Sequence, residues 1–126
     1  MASADAYGLL LSDDLMFSSR ITGTAQALGL KMDVMKSTKE LMARAKERTP
    51  TCVILDLSHP EVQIQAFIEK LKDAGSPMPR LVAYGSHVDA AVLRAAREAG
   101  CDLVLPRSAF IDQLPGNLNH WLAGSA

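Results

Sequence analysis

Short apolar segments alternate with helical segments along this chain, and this alternation constrains its fold more than any other feature. The predicted strands cover residues 7–11, 30–35, 52–56, 80–84 and 101–105. Strands that alternate with helices form parallel sheets, because each helix carries the chain back across one face of the sheet. We therefore predict an α/β fold in which a five-stranded parallel sheet is covered by helices on both faces.

The ends of the predicted helices are marked by local signals. Gly29 and Gly100 follow the first and fourth helical segments, where a glycine typically ends a helix. Ser37 and Glu40 have the spacing of a capping box, in which each residue satisfies a backbone donor of the other. Pro115 lies inside the last helical segment, and proline removes a donor and clashes with the preceding turn. We predict either a kink at Pro115 or a short turn followed by a new helix.

The size and charge of the chain exclude several classes of function. With 126 residues, the chain has the length of one domain, and we expect a single domain over residues 1–126. A formal net charge of −1 gives no basic surface for nucleic acid or for an anionic membrane. No apolar run is long enough to span a bilayer, and the first residues lack the pattern of a signal peptide. Cys52 and Cys101 are predicted to be buried free thiols, which suit a reducing compartment such as the cytoplasm.

Carboxylates follow two of the predicted strands. Asp13 and Asp14 close the first strand, and Asp56 closes the apolar third strand. The carboxyl ends of parallel strands meet at one edge of a sheet, and ligands bind there in open α/β sheets. The three carboxylates are therefore expected to form a cation site with a possible nucleophile. The opposite, amino-terminal edge shows no comparable collection of polar residues.

Two histidines offer an alternative chemistry at the same edge. His59 and His87 are predicted to lie on loops there, next to the three aspartates. Together these side chains are able to form a mixed nitrogen and oxygen site for a transition metal. A small metal-dependent phosphatase or hydrolase is the corresponding enzyme, and it needs His87 as its general base.

The chain resembles the receiver domain of bacterial response regulators over nearly its whole length. The matching features are the Asp13-Asp14 pair, Asp56, Pro60 four positions later, and the alanine-rich segment 90–100. The resemblance implies a flavodoxin-like three-layer sandwich with the strand order 2-1-3-4-5. It also implies that Asp56 is the phosphoacceptor for a histidine kinase or another phosphodonor, and that Asp13, Asp14 and Asp56 hold Mg²⁺.

Two switch positions of the receiver family are altered in this chain. Receivers carry a Ser or Thr at the end of the fourth strand, and three residues fit that position, depending on register: Tyr84, Gly85 and Ser86. Ser86 is the best substitute. The lysine at the end of the fifth strand is replaced by Arg107 or, in a second register, by Leu105. We favour Arg107, whose planar guanidinium is able to clamp Asp56 in a bidentate pair.

These substitutions favour an output through the surface of the domain, with no enzymatic activity. The main hypothesis is a stand-alone receiver-like domain in intracellular signalling. The alternative is a degenerate receiver that binds its partner without phosphorylation. Receiver-like domains use the face of the fourth helix, fifth strand and fifth helix for self-association or output. In this chain that face carries charged residues around small alanines: Arg94, Arg97, Asp102, Arg107, Ala90, Ala91 and Ala95. We expect a self-dimer or a protein partner there.

Overall fold

Strands and helices alternate through the described part of the chain. The computed structural model describes residues 6–74 and 77–123. The strands are β1 (Gly8–Leu11), β2 (Met32–Met35), β3 (Cys52–Asp56), β4 (Arg80–Gly85) and β5 (Leu103–Pro106). The helices are α1 (Leu15–Ala27), α2 (Thr38–Glu47), α3 (Ile64–Asp73), α4 (Ala90–Ala99) and α5 (Arg107–Leu122).

The strands form one parallel sheet in the order β2-β1-β3-β4-β5. The chain moves from β1 outward to β2, and then crosses to β3 and continues in the opposite direction. The loops after β1 and β3 therefore separate at the carboxyl edge and leave a crevice between them. In the register of the sheet, Asp56 lies opposite Tyr84. The predicted α/β fold and strand order are confirmed.

The core consists of one apolar layer on each face of the sheet. Leu9 and Val53 belong to the layer that includes residues of α2, α3 and α4. Leu10 and Ile54 belong to the layer that includes residues of α1 and α5. All four side chains are fully buried, and they alternate because successive side chains of a strand point to opposite faces. The result is the three-layer sandwich that the sequence predicted.

The capping box of α2 is present in part. The Ser37 hydroxyl accepts a hydrogen bond from the Glu40 backbone N–H at 3.1 Å. The Glu40 carboxylate accepts from the backbone N–H of Lys36 at 3.4 Å, one residue before the expected donor. Ser37 therefore caps the helix as predicted, while Glu40 satisfies a different donor.

The last helix is continuous through Pro115. The prediction of a short turn and a new helix at this residue is wrong. Leu114, Leu118 and Trp121 are almost completely buried along one side of α5, and burial of such side chains stabilises a helix strongly. This packing offsets the cost of proline in a helix interior, which is about 3 kcal/mol.

In the described ranges, no helix has the length and apolar character that crossing a membrane requires.

Both cysteines are free thiols. Burial raises the pKa of Cys52 to about 12 and the pKa of Cys101 to about 11. A thiol is nucleophilic only as the thiolate, so neither cysteine is a reactive group near neutral pH. Cys52 is buried as predicted, whereas Cys101 is only partly buried, which corrects the prediction that both thiols are buried.

Candidate functional site

The candidate site lies at the carboxyl edge of the sheet, where β1, β3 and β4 end. Asp56 is the last residue of β3 and is only 1% exposed. It follows Ile54 by two positions, so its side chain points toward the layer of α1 and α5. Ser12, directly after β1, is also 1% exposed. The central carboxylate of the site is therefore covered, and direct contact with solvent is almost absent.

Neutral donors hold the Asp56 carboxylate. One oxygen, Oδ1, accepts from the Ser58 backbone N–H at 2.9 Å and from the Ser58 hydroxyl at 2.6 Å. The other oxygen, Oδ2, accepts from the Ser12 hydroxyl at 3.4 Å. Within residues 6–74 and 77–123, no ion pair of 4.0 Å or less includes Asp56. The buried carboxylate is thus satisfied by two serines and forms no direct ion pair with these residues.

The two aspartates after β1 do not join Asp56 in a metal-binding cluster. Asp14 is the N-cap of α1, and its Oδ1 accepts from the Phe17 backbone N–H at 3.0 Å. Asp13 is exposed. Among the described residues, no three His, Cys, Asp or Glu side chains converge as metal ligands. The predicted convergence of three carboxylates is therefore absent from this structure, because one of them caps a helix and another is covered by serines.

Arg107 approaches the site but does not clamp Asp56. Its Nη2 donates to the Ser58 hydroxyl at 3.4 Å, and its guanidinium carbon lies 5.4 Å from the centre of the Phe17 ring. Ser58 therefore stands between the guanidinium and the Asp56 carboxylate, and the direct bidentate pair that we predicted is not formed. Leu105 lies in β5 opposite Tyr84 and packs against the α1 and α5 layer. Arg107 is thus the residue that contacts the loop after β3.

The residues at the end of β4 do not contact Asp56 through hydrogen bonds. Tyr84 is fully buried, and its ring lies 4.7 Å from the rings of both Phe17 and Phe110. Its hydroxyl has no hydrogen-bond partner in the part of the chain that the structure describes. Burial, and then the Asp56 carboxylate, raise the pKa of Tyr84 above its usual range. Ser86 accepts from the Val88 backbone N–H at 3.3 Å and so closes a local turn.

The two histidines differ in their surroundings. His59 is only 4% exposed, and its Nδ1 accepts from the Glu61 backbone N–H at 3.1 Å. Its Nε2 therefore carries the proton and donates to the Lys36 carbonyl at 2.6 Å. Because both ring nitrogens are engaged, His59 is not available as a metal ligand, and the predicted mixed metal site is not assembled. His87 is exposed.

Two serines of the site were missed at the sequence level. Ser58 follows Asp56 by two positions, and an aspartate commonly accepts from the residue two positions later in such turns. That spacing is visible in the sequence and was a usable signal. Ser12 reaches Asp56 only through the pairing of β1 with β3, and no local pattern indicates this contact.

A polar cluster at the amino-terminal side of the sheet corrects the prediction that this edge is poor in polar residues. The Asp33 Oδ2 accepts from the Tyr7 hydroxyl at 2.8 Å and from Arg44 Nη1 at 2.7 Å. Arg44 Nη1 also donates to the Tyr7 hydroxyl at 3.1 Å. The guanidinium carbon of Arg48 lies 4.3 Å from the centre of the Tyr7 ring. These residues come from separate elements, so the cluster depends on the fold and not on a motif.

Comparisons with known proteins agree on the fold. No family model and no curated protein sequence matches the chain. Among solved structures, the receiver domain of NtrX from Brucella abortus has a TM-score of 0.78 and 17% identity, with 94% of this chain and 99% of that chain covered. A response regulator receiver domain from Bermanella marisrubri has a TM-score of 0.79 and 19% identity, with coverage of 93% and 98%. The Mn²⁺-bound form of response regulator Rcp1 has a TM-score of 0.76 and 14% identity, with coverage of 96% and 97%. The chain therefore has the fold of response-regulator receiver domains.

Proposed function

We propose that this chain is a receiver-like signalling domain that acts as a protein-interaction module without phosphorylation and without enzymatic activity. The proposal rests mainly on Asp56, which is 1% exposed and accepts three hydrogen bonds from Ser58 and Ser12. A carboxylate attacks phosphorus only with a free oxygen and with the charge of the transferring group neutralised. In this arrangement both Asp56 oxygens accept hydrogen bonds, and no ion pair of 4.0 Å or less reaches them within the described ranges, which supports the proposal. The reducing interior of the cytoplasm is the location that suits such a domain.

The metal chemistry of the site supports the same proposal. The Rcp1 structure contains Mn²⁺, so a divalent cation is compatible with this fold. In this chain Asp14 caps α1, and a cap withdraws one carboxylate oxygen from other partners. We propose that Mg²⁺ or Mn²⁺ binds only weakly, through Asp13 and the remaining oxygen of Asp14. Backbone amide shifts during an Mg²⁺ titration should then be confined to the start of α1 and should leave Ser58 unmoved.

We place the output surface on the face of α4, β5 and α5. Arg94 and Arg97 are exposed, and neither forms an ion pair of 4.0 Å or less within the described ranges. The small residues beside them, Ala90 and Ala91, are exposed as well. An arginine whose charge is unpaired and whose neighbours are small is well suited to a carboxylate of a partner or of a second copy.

Two residues expected on that output face have other roles. The Asp102 carboxylate accepts from the Leu81 backbone N–H at 2.7 Å, so it stabilises the start of β4. Arg107 contacts Ser58, so it belongs to the candidate site. We therefore assign the binding contacts to Arg94 and Arg97 alone. Sedimentation and partner capture with wild type and with Arg94→Glu/Arg97→Glu measure this contribution directly.

Phosphorylation of Asp56 by a histidine kinase remains the second candidate. One observation favours it: the hydrogen bond from Ser12 to Oδ2 is long, at 3.4 Å, so this oxygen is the less engaged of the two. Attack by Oδ2 nevertheless requires the covering loop to move and a cation to enter. The metal-dependent hydrolase has less support, because among the described residues no three His, Cys, Asp or Glu side chains converge beside His87 as possible metal ligands.

Intact mass spectrometry after incubation with acetyl phosphate and Mg²⁺ tests the proposal. We expect wild type to gain no phosphoryl group. Ser58→Ala removes one of the two donors to Oδ1, the hydroxyl, and leaves the backbone N–H. Ser108→Ala is a matched control in the first turn of α5. Labelling that appears in Ser58→Ala alone would support the covering role of Ser58. Rapid labelling of wild type that is abolished by Asp56→Asn would reject the proposal and establish the phosphoacceptor instead.

A further inference from the structure

A cavity of about 520 Å³ opens beside the candidate site. It lies between α1, the loop after β4 and the first turns of α5. Cavities of roughly 300–1,000 Å³ are of the size that binds small molecules. The residues that decide its chemistry are Phe17, Arg20, His87, Arg107, Ile111 and Asp112. Asp56 does not line it, so the cavity is separate from the buried carboxylate.

Two arginines give the cavity an excess of positive charge. Arg20 and Arg107 are permanent cations, and Asp112 is the one carboxylate among the lining residues. Neither arginine has an ion pair of 4.0 Å or less in the described part of the chain. A concave surface with uncompensated charge of one sign concentrates the electrostatic potential and attracts ligands of the opposite sign. The lining therefore favours an anion.

The Arg107 guanidinium is held in place by its neighbours, but not all of its hydrogen-bond donors are engaged. Its Nε is buried and therefore closed to a ligand, so the terminal nitrogens are the available donors; their one hydrogen bond among the described residues, from Nη2 to Ser58, is long at 3.4 Å. The Phe17 ring supports the guanidinium at 5.4 Å. A planar guanidinium with spare donors matches the oxygens of a phosphate group.

The cavity also has an apolar wall. Phe17 and Ile111 are partly buried and belong to the edge of the α1 and α5 core. Such a wall suits an organic group, since burial of apolar surface is favourable. Asp112, in turn, is an acceptor for a hydroxyl or amine donor on the same ligand. Inorganic phosphate is able to contact only the arginines, whereas an organic phosphate also contacts the apolar wall and Asp112.

We propose that this cavity binds a small organic phosphate without forming a covalent bond. The phosphate lies against Arg20 and Arg107, and the organic group lies against Phe17 and Ile111. The proposal goes beyond the interaction function and does not depend on it, because it uses neither Asp56 nor a metal. It would give the domain a reversible ligand beside the candidate site.

Adenosine monophosphate is a suitable probe, and uncharged adenosine is its matched control. The titration is followed by backbone amide shifts, with EDTA present, for wild type, Arg20→Gln and Lys39→Gln. Arg20 and Lys39 are both exposed, so each substitution removes one surface charge, and only Arg20 lines the cavity. We expect shifts around the cavity and about tenfold weaker binding in Arg20→Gln, as loss of one charge-assisted contact predicts. Lys39→Gln should bind like wild type, and adenosine should bind far more weakly.

Three results would overturn the proposal: no saturable shifts at millimolar adenosine monophosphate, equal affinities of wild type and Arg20→Gln, or binding that is lost in EDTA and restored by Mg²⁺. Intact mass after a separate incubation with acetyl phosphate and Mg²⁺ keeps the two proposals distinct. A covalent phosphoryl group there would count against the interaction function, whereas absence of saturable shifts with adenosine monophosphate would count against this cavity.

Discussion

Asp56 and Asp33 lie on strands of the same sheet, yet they are stabilised in different ways. Asp56 is buried and accepts hydrogen bonds only from serine and backbone donors. Asp33 is about half exposed and pairs with Arg44 at 2.7 Å. A guanidinium therefore forms a direct ion pair with the exposed aspartate, whereas Ser58 stands between Arg107 and the buried one. Positive charge at the nucleophile matters for phosphoryl transfer, because the charge of the transferring oxygens must be neutralised.

The contrast also predicts where stability resides. Exposed ion pairs contribute little, since water and salt screen them. Hydrogen bonds in a buried site contribute more, because removing the acceptor leaves donors unsatisfied. The carboxyl edge of β3 should therefore be sensitive to substitution, and the Tyr7, Asp33 and Arg44 cluster should be tolerant.

The largest effect is expected for Asp56→Ala. This substitution leaves the Ser58 N–H and two serine hydroxyls without their acceptor, at a cost of about 3 kcal/mol in the free energy of unfolding. Urea denaturation measures this change, and exposed Asp13→Ala is the control, expected within about 0.5 kcal/mol of wild type. A change as small as that of the control would show that Asp56 is not an integral part of the fold.

A smaller loss is expected for Ser58→Ala. The hydroxyl donates the short 2.6 Å hydrogen bond to Asp56, while the backbone N–H of residue 58 remains as a donor. We expect a loss of about 1.5 kcal/mol, typical of a hydrogen bond to a charged group. Ser86→Ala, which removes a serine from a surface turn, should cost less. A larger loss of stability in Ser86→Ala than in Ser58→Ala would argue against a stabilising contact between Ser58 and the Asp56 carboxylate.

The two tyrosines beside these aspartates should respond differently to alkaline pH. Burial raises the pKa of both Tyr84 and Tyr7 above the ordinary value of 10.0. The folded state therefore keeps the proton that the unfolded chain loses, so stability falls as pH rises above about 10. Tyr84→Phe should reduce this fall more than Tyr7→Phe, because Tyr84 is the more deeply buried. Urea midpoints at neutral pH and above pH 10 for both variants test the order.

Tyr84→Phe carries a second expectation at neutral pH. The hydroxyl is buried and has no hydrogen-bond partner among the described residues, so its removal leaves nothing unsatisfied. The variant should be at least as stable as wild type. A clear loss of stability at neutral pH would mean that this hydroxyl has a partner.

The smallest effect is expected for Arg44→Gln. The side chains of Arg44 and Asp33 are 40% and 48% exposed, so we expect a loss of stability smaller than that of Ser58→Ala, and one that shrinks further at high salt. Unfolding in low and high salt gives the comparison. A salt-insensitive loss as large as that of Asp56→Ala would remove the distinction between the two aspartates.

The fold was predictable because its signals are local and repeated. The alternation of strands and helices can be recognised from short stretches of sequence, without knowledge of the rest of the fold. The same is true of the charge at the end of an apolar strand. The continuity of the last helix through Pro115 was harder to predict, because the tertiary packing of α5 outweighs the tendency of proline to break a helix. The burial of His59 and the contact between Ser12 and Asp56 were not predictable, since each joins segments that only the folded sheet brings together. Asp14 shows the remaining difficulty: one carboxylate satisfies both a metal pattern and a helix cap, and the sequence alone does not choose between them.

The hydrogen bonds of His59 have a mechanical consequence. This side chain fastens the loop after β3 to the Lys36 carbonyl, and the neighbouring Glu61 carboxylate accepts from the Thr38 backbone N–H at 3.0 Å. Two hydrogen-bonded links therefore join this loop to the start of α2. We expect a displacement of the loop beside Asp56 to be passed to α2, which covers the side of the sheet near β2, whereas the proposed output face includes α4 near the other edge.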